Sequence, residues 1–191
     1  PTPDFVILDS EASLKQAAAQ LGFPCIVKPV HEGSSIGISK VSSEQDLPAA
    51  WKTAAQYDRE IIAERWITGG EYTASILIDE ALPVIKMETP NSFYDYEAKY
   101  LLNTTRYLCP CGLAADKEAE LKKIALSAFD ALGASGWGRI DFMLDQSGSP
   151  WLIEVNTVPG MTDHSLVPMA AKQAGYSFAE LVWLILETTC K

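Results

Sequence analysis

The chain has 191 residues, 15 basic and 25 acidic, so its formal net charge is −10 with both histidines neutral. Apolar residues make up 48% and charged residues 21%, the composition of a globular chain rather than a disordered one. The excess of acid excludes a general binder of nucleic-acid phosphates, and no apolar run approaches the ~20 residues that a bilayer span requires.

Pro1 heads the sequence and the first methionine is Met87. No basic stretch with an apolar core opens the chain, so no signal peptide is visible, and from Pro1 and the late methionine the chain reads as a piece of something longer. Cys25, Cys109, Cys111 and Cys190 have neither the spacing of a disulfide framework nor that of a zinc site. A reduced, cytoplasmic protein is the expectation.

Strand-like and helix-like patterns alternate along the chain, predicting an α/β or α+β fold. Residues 5–8 read as a short strand. A helix over 10–21 ends at Gly22, a residue suited to the left-handed C-terminal position. Strands follow over 24–28 and 37–41, around the loop His31-Glu32-Gly33-Ser34-Ser35. Ser43-Glu44-Gln45-Asp46 suggests a capped helix running to about residue 57. Residues 60–66 form a strand, and Thr68-Gly69-Gly70 breaks the pattern. The boundary between two subdomains, 1–67 and 68–191, is placed there.

The second part opens with strands over 71–78 and 82–86. Residues 91–104 carry four aromatics without a clean period and read as a long loop, a length that is often functional. A helix spans 116–132. Strands over 137–145 and 150–156 form a hairpin around Gln146-Ser147-Gly148-Ser149. A helix over 165–174 follows. Ser177-Phe178-Ala179-Glu180 caps a last helix, with an apolar stripe of Phe178, Leu181, Val182, Ile185 and Leu186.

The hairpin is the most informative segment. If Asp145 pairs with Pro150, Asp141 faces Glu154 and Arg139 faces Asn156. All four side chains then project from one side. Facing carboxylates repel unless a cation neutralises them, and a hard divalent cation takes oxygen from Asp, Glu and the Asn amide. The competing reading is a solvated face on an edge hairpin. Ile140, Phe142, Leu144, Leu152, Ile153 and Val155 weigh against it by suggesting burial on both sides.

Lys28-Pro29, followed by Glu32-Gly33-Ser34-Ser35-Ile36-Gly37, could present backbone N–H groups and a lysine to an anion. It could equally be a plain Gly-Ser turn, and the Walker order is absent. Lys99 in the aromatic loop reads by itself as a surface charge, and His31 and His164 as loop residues. No Ser/His/Asp or Cys/His nucleophile pattern stands out.

Taken together, these segments resemble the D-alanine–D-alanine ligases of the ATP-grasp superfamily. The resemblance rests on Ile26-Val27-Lys28-Pro29, Glu32-Gly33-Ser34-Ser35-Ile36-Gly37, Tyr94-Asp95-Tyr96-Glu97-Ala98-Lys99-Tyr100 and Gly136-Trp137-Gly138-Arg139-Ile140-Asp141. It continues through Glu154-Val155-Asn156-Thr157-Val158-Pro159-Gly160-Met161-Thr162 and His164-Ser165-Leu166-Val167-Pro168. The order is that of the family over nearly the whole chain. The aromatic loop, Pro-Gly-Met-Thr and His-Ser-Leu carry the specificity of the match.

The resemblance implies an α+β ATP-grasp fold, two α+β subdomains with mainly antiparallel sheets gripping ATP between them. It implies Lys28 on the α/β phosphates, Glu64 and the Ile67 main chain on adenine with Trp66 alongside, Glu71 on ribose, and Lys99 on the γ-phosphate. Asp141, Glu154 and Asn156 would hold two Mg²⁺ ions (Mn²⁺ could replace them), with Glu154 bridging. Arg139 and the Gly160 N–H would stabilise an oxyanion. Ser165 and the Leu166 N–H would bind the second D-alanine's carboxylate. Ser34 and Tyr100 would orient substrate and hold the aromatic loop closed, and Tyr100 favours an amine as second nucleophile.

The implied activity is ATP-dependent synthesis of D-alanyl-D-alanine for peptidoglycan, in the cytoplasm, by a homodimeric parent that binds neither nucleic acid nor membrane. The family's N-terminal domain has no counterpart in this sequence, so the chain alone is expected to bind Mg-ATP with little or no turnover. The alternatives are another ATP-grasp carboxylate–amine ligase and a non-catalytic nucleotide-binding module.

Overall fold

A computed structural model describes residues 1–33, 35–88 and 105–190. Ser34 and the aromatic loop with Lys99 and Tyr100 lie outside the described residues. The chain divides into two compact units. One is built on Thr2–Ile67 and the other on 68–88 and 106–190, with Pro1.

The first unit is a four-stranded antiparallel sheet. Its strands are β1 (Phe5–Ile7), β2 (Cys25–Pro29), β3 (Ser39–Val41) and β4 (Ile61–Arg65), in the order β1-β4-β2-β3. Helices α1 (Glu11–Leu21) and α2 (Leu47–Ala54) cover one face. The core between them contains Val6, Leu8, Leu14, Ala17, Val27, Leu47, Ile61 and Ala63. α1 begins with a reciprocal cap: Ser10 Oγ accepts from the Ser13 N–H, and Ser13 Oγ accepts from the Ser10 N–H.

The cap expected at Ser43 does not form. Ser43 Oγ donates instead to the Asp46 carboxylate at 2.6 Å, and Glu44–Asp46 wind as a 3₁₀ turn. Pro48 lies in the first turn of α2, where its missing N–H and fixed φ are tolerated. The helix also stops at Ala54, short of residue 57.

The second unit is a six-stranded antiparallel sheet. Its strands are β5 (Gly69–Leu77), β6 (Glu80–Ala81), β7 (Ile85–Glu88), β8 (Arg106–Leu108), β9 (Trp137–Asp145) and β10 (Pro150–Asn156). The main order is β10-β9-β5-β7-β8, and β6 pairs with β5. Gly69 and Gly70, expected to interrupt the pattern, are the first two residues of β5 and pair with Asp145 and Leu144. The strand expected over 82–86 is displaced to Ile85–Glu88. Leu77↔Glu80 closes a tight turn, the Leu82 N–H donates to Ser75 O, and β7 rejoins β5 at Thr73↔Ile85.

Alternation sorts the two faces of this sheet. Tyr72, Ala74, Ile76, Ile140, Phe142 and Leu144 pack against Leu121, Ala125 and Phe129 of α3 (Ala115–Ala131). On the other face, Leu77, Leu82 and Ile85 pack against α4 (Leu166–Gln173) and α5 (Phe178–Thr188) through Val167, Ala170, Ala171 and Leu181. The Ser177–Glu180 capping box forms as expected. The apolar stripe of α5 does not all point inward: Leu181 is fully buried, whereas Phe178 is 52% exposed and Leu186 53%.

Candidate functional site

The site on the second unit begins with the β9–β10 hairpin. Its strand limits match the expected ones, but its register changes along its length. Near the loop, Pro150 faces Leu144, Trp151 faces Met143 and Leu152 faces Phe142. Beyond an irregularity between Leu152 and Glu154, Glu154 faces Asp141, Val155 faces Ile140 and Asn156 faces Arg139. The expected register therefore holds only in the half that carries the polar residues. An extra residue on one strand, a bulge, produces such a one-step shift.

The turn itself is held by Asp145. Its carboxylate accepts from Ser147 Oγ at 2.6 Å, from the Ser147 and Ser149 N–H groups, and from the Trp151 ring N–H at 2.9 Å. The Ser147 hydroxyl foremost, with the Trp151 ring and the backbone donors, keeps this carboxyl well below the usual carboxylate range.

Arg139, Asp141, Glu154 and Asn156 share one face. Asp141 is buried, with 7% exposure. Arg139 Nε donates to Asp141 Oδ1 at 2.8 Å and Nη2 to Oδ2 at 2.7 Å, a bidentate pair. Asn156 Nδ2 lies 3.0 Å from Asp141 Oδ2 and 3.4 Å from Glu154 Oε1. Burial is one-sided across the hairpin: β10 is an edge strand with no buried residue, and Glu154 is exposed. The expectation of burial on both sides thus fails for β10 and is met only on β9, which lies between β10 and β5. This gradient puts Asp141 in a place where a charge must be compensated and leaves Glu154 open to a ligand.

Thr73 completes the floor, and the reading of the sequence missed it. It is 0% exposed, on β5 directly opposite Asp141. Its Oγ1 lies 2.6 Å from Asp141 Oδ1 and 3.0 Å from Ile140 O, and its single proton serves the shorter, charged contact. The alternation Glu71, Thr73, Ser75 against Tyr72, Ala74, Ile76 was visible as a polar strip. Only the long-range pairing of β5 with β9 aims that strip at Asp141.

The donor set fits a hard cation of modest demand. No group of three His, Cys, Asp or Glu side chains that could hold a metal occurs among the described residues. Two carboxylates and an amide nevertheless suit Mg²⁺, which keeps several waters and binds through one or two carboxylates plus phosphate oxygens.

In the first unit, Lys28 and Glu64 stand on the sheet face opposite the helices. Lys28 Nζ is 2.7 Å from Glu64 Oε2, and both side chains are largely shielded. Lys28 faces Ile62 and Glu64 faces Ile26, so the pair is a diagonal contact across β2 and β4. Phe5 and Ile7, opposite Glu64 and Ile62 on β1, extend this face with exposed apolar surface. Lys40 Nζ stands 4.0 Å over the Trp66 ring, a cation–π contact.

The loop after β2 is pinned at its start by Asp58, which accepts from the Val30 and His31 N–H groups and lies 2.9 Å from His31 Nδ1. The His31 N–H foremost, with the other donors, holds the Asp58 carboxyl well below its ordinary range. Gly37, at the other end of the loop, has a φ of 71°. A Cβ there would come within 2.7 Å of the Tyr57 ring and 2.9 Å of Pro29, so glycine is required on both counts.

The profile of the D-ala D-ala ligase C-terminus family matches residues 2–187. The chain belongs to this family. It is 57% identical over 189 residues to a D-alanine–D-alanine ligase of Methylococcus capsulatus, covering 99% of this chain and 61% of the relative. It is 59% identical over 186 residues to one of Ectopseudomonas mendocina, covering 97% and 59%. The chain thus spans about 60% of the length of these curated relatives.

The fold is similar to the D-alanine–D-alanine ligase of Bacillus anthracis, with a TM-score of 0.86, 35% identity and coverage of 99% of this chain and 62% of that one. It is also similar to the D-Ala:D-Ser ligase VanG of Enterococcus faecalis, with a TM-score of 0.88, 34% identity and coverage of 98% and 56%. A further Bacillus anthracis structure, in complex with ATP, matches at a TM-score of 0.82 and 31% identity, over 99% of this chain and 60% of that one. The α+β ATP-grasp fold is that of the family.

In this member of the D-Ala–D-Ala ligase C-terminus family, the other expected site residues fall as follows. Ile67 is buried, directly after β4 and Trp66. Glu71 lies on β5, on the same face as Thr73. Gly160 is exposed, and a Cβ on it would meet Ser165 Oγ at 3.0 Å. Ser165 does not cap α4 with its side chain. Its Oγ accepts from the Thr162 N–H at 2.9 Å and lies 2.9 Å from Thr162 Oγ1. Leu166 begins α4, so its N–H is among those without an intrahelical acceptor.

The cysteines are all free. Burial, with the Glu118 charge second, pushes the Cys109 thiol up to about 11, and burial also raises Cys111. Both are poor thiolates at neutral pH. No helix among the described residues is long and apolar enough to cross a membrane.

Proposed function

We propose that this chain is the nucleotide- and metal-binding part of a cytoplasmic, homodimeric ligase that joins two D-alanines with ATP for peptidoglycan synthesis. The observation that carries the reading is the shared face of Asp141, Glu154 and Asn156 beside Arg139, with the Asn156 amide within hydrogen-bond reach of both carboxylates. High identity to named D-alanine–D-alanine ligases supports it.

A carboxylate is a poor electrophile toward an amine. The carboxylate of the first D-alanine therefore attacks the γ-phosphorus of ATP, forming an acyl phosphate and releasing ADP. The amine of the second D-alanine attacks the acyl carbon, phosphate leaves and an amide bond forms.

Asp141, Glu154 and Asn156 would hold Mg²⁺, which would neutralise charge at the phosphoryl oxygens. Lys28 binds the α/β phosphates and Lys99 the γ-phosphate. Glu64, the Ile67 main chain and Trp66 hold adenine, and Glu71 the ribose. Arg139 and the Gly160 N–H stabilise the tetrahedral oxyanion. Ser165 and the Leu166 N–H, at the start of a helix, take the second substrate's carboxylate. Ser34 and Tyr100 orient substrate and keep water from the acyl phosphate.

The chain spans about 60% of its relatives' length, and by itself it binds Mg-ATP with little or no turnover. The test is a chimera in which this chain replaces the matching segment of the Methylococcus capsulatus relative. The expected result is phosphate release that requires D-alanine and yields D-alanyl-D-alanine at an enzymatic rate, ~1 s⁻¹ or more. A folded chimera that is inactive with D-alanine, or that works only with D-serine or another amino acid as second substrate, overturns the reading.

A further inference from the structure

We propose that Thr73 is a positioning residue that fixes Asp141 so that Oδ2, not Oδ1, is presented to the metal. The proposal rests on the metal reading above and adds to it a residue on a different strand.

Three observations converge. First, the Thr73 hydroxyl donates to Asp141 Oδ1 at 2.6 Å, from a residue with no exposure. Second, Thr73 lies in the middle of β5, which pairs with β9 at Thr73↔Asp141 and with β7 at Thr73↔Ile85. A β-branched side chain on an internal strand has restricted χ1, which keeps the Thr73 oxygen beside Asp141. Third, the other described donors to this carboxylate have work elsewhere once nucleotide and metal are bound. Arg139 is assigned to the oxyanion, and the Asn156 amide must present its oxygen rather than its NH₂ to a cation. Thr73 has no assigned contact to nucleotide or substrate, and its one alternative acceptor, the Ile140 carbonyl, is the longer contact at 3.0 Å. It stays on Oδ1 while Oδ2, now shared by Arg139 Nη2 and Asn156 Nδ2, is released.

Ser75 provides the contrast. It lies two residues along the same face, opposite Arg139, at 1% exposure, and its Oγ has no hydrogen-bond partner among the described residues. A hydroxyl at position 73 is committed to the site, and one at position 75 is not.

The experiment is titration of the 191-residue chain with Mn²⁺ alone, reading free and bound ion by electron paramagnetic resonance, with the metal-free thermal midpoint measured in parallel. Thr73→Val keeps the shape and removes the donor, and Thr73→Ala removes it without a branched side chain. Both are expected to raise the Mn²⁺ Kd by about 10- to 100-fold, the usual effect of losing a partner that orients a metal ligand. Thr73→Ser is expected to return the Kd to within about threefold of wild type, and Ser75→Ala to leave it unchanged. A Thr73→Val or Thr73→Ala chain that loses thermal stability but binds Mn²⁺ like wild type shows a structural role only, and overturns the proposal. Failure of the wild-type chain to bind Mn²⁺ overturns the metal reading itself, and the role of Thr73 with it.

Discussion

Arg139→Ala is expected to destabilise the metal-free chain by about 3 kcal/mol, and added Mg²⁺ to restore more of that loss than it adds to wild type. Asp141 and Arg139 are both mostly shielded, with side-chain exposures of 10% and 16%, and their contact is bidentate. Removing one partner of such a pair leaves the other as a buried, undercompensated charge, which typically costs about 3–5 kcal/mol. The Thr73 and Asn156 donors remain, which places the expected loss at the lower end. In wild type a metal must displace the guanidinium from Oδ2. In the variant only the Asn156 amide remains on Oδ2. Thermal unfolding with and without Mg²⁺ reads both effects. A loss under about 1 kcal/mol contradicts the burial of this pair. An equal Mg²⁺ effect in both chains contradicts the idea that guanidinium and metal compete for one carboxylate.

Gly69→Ala is expected to destabilise the second unit by more than about 3 kcal/mol. A Cβ at Gly69 would land on the carbonyl oxygen of Leu144, and would lie 2.7 Å from its carbon and 3.0 Å from the Asp145 Cα. These are backbone atoms of the paired strand, so no rotamer change relieves the clash. The start of β5 must separate from β9, losing the Gly69↔Asp145 and Gly70↔Leu144 pairs. Losses of this size belong to overpacked or strained sites rather than to ordinary surface changes. Gly33→Ala is the control, because a Cβ there meets nothing within 4 Å, and it is expected to shift stability by no more than about 0.5 kcal/mol. Urea unfolding of the two variants checks the pair of values. A Gly69→Ala chain as stable as the control contradicts the close approach of β5 and β9.

What the sequence made legible follows the range of the interactions involved. The limits of β9 and β10 could be read to the residue, because two β-patterned runs flank a short Gly-Ser loop. The common face of Arg139, Asp141, Glu154 and Asn156 followed from strand alternation, and the shift between Leu152 and Glu154 left it intact. The shift itself was not legible, because the extra residue of a bulge leaves the hydrophobic pattern on either side unchanged. Thr73 escaped notice for the same kind of reason: nothing near it in the chain indicates that it will face Asp141, 68 residues away.

The Ser43 cap was misread because Pro48 moves the helix start forward. The apolar stripe of α5 was overextended, because a helical period marks a face without saying how wide a neighbour will cover it. Trp183, off that stripe, is 63% exposed, and its ring N–H donates to Glu187. The resemblance to the ligase family came from local strings of residues, and the family match now carries it independently.

The central claim is that the face of Asp141, Glu154 and Asn156 holds Mg²⁺ for a bound nucleotide. The measurement that tests it most directly is calorimetric titration of the 191-residue chain with ATP, with and without Mg²⁺, beside Glu154→Gln. Glu154 is exposed on the edge strand, so the substitution removes one charge without disturbing a buried contact. The predicted result is ATP binding that strengthens at least tenfold with Mg²⁺ in wild type and loses that dependence in Glu154→Gln. Identical ATP affinity with and without Mg²⁺ in a folded wild-type chain, or an unchanged Mg²⁺ dependence in Glu154→Gln, would contradict the account.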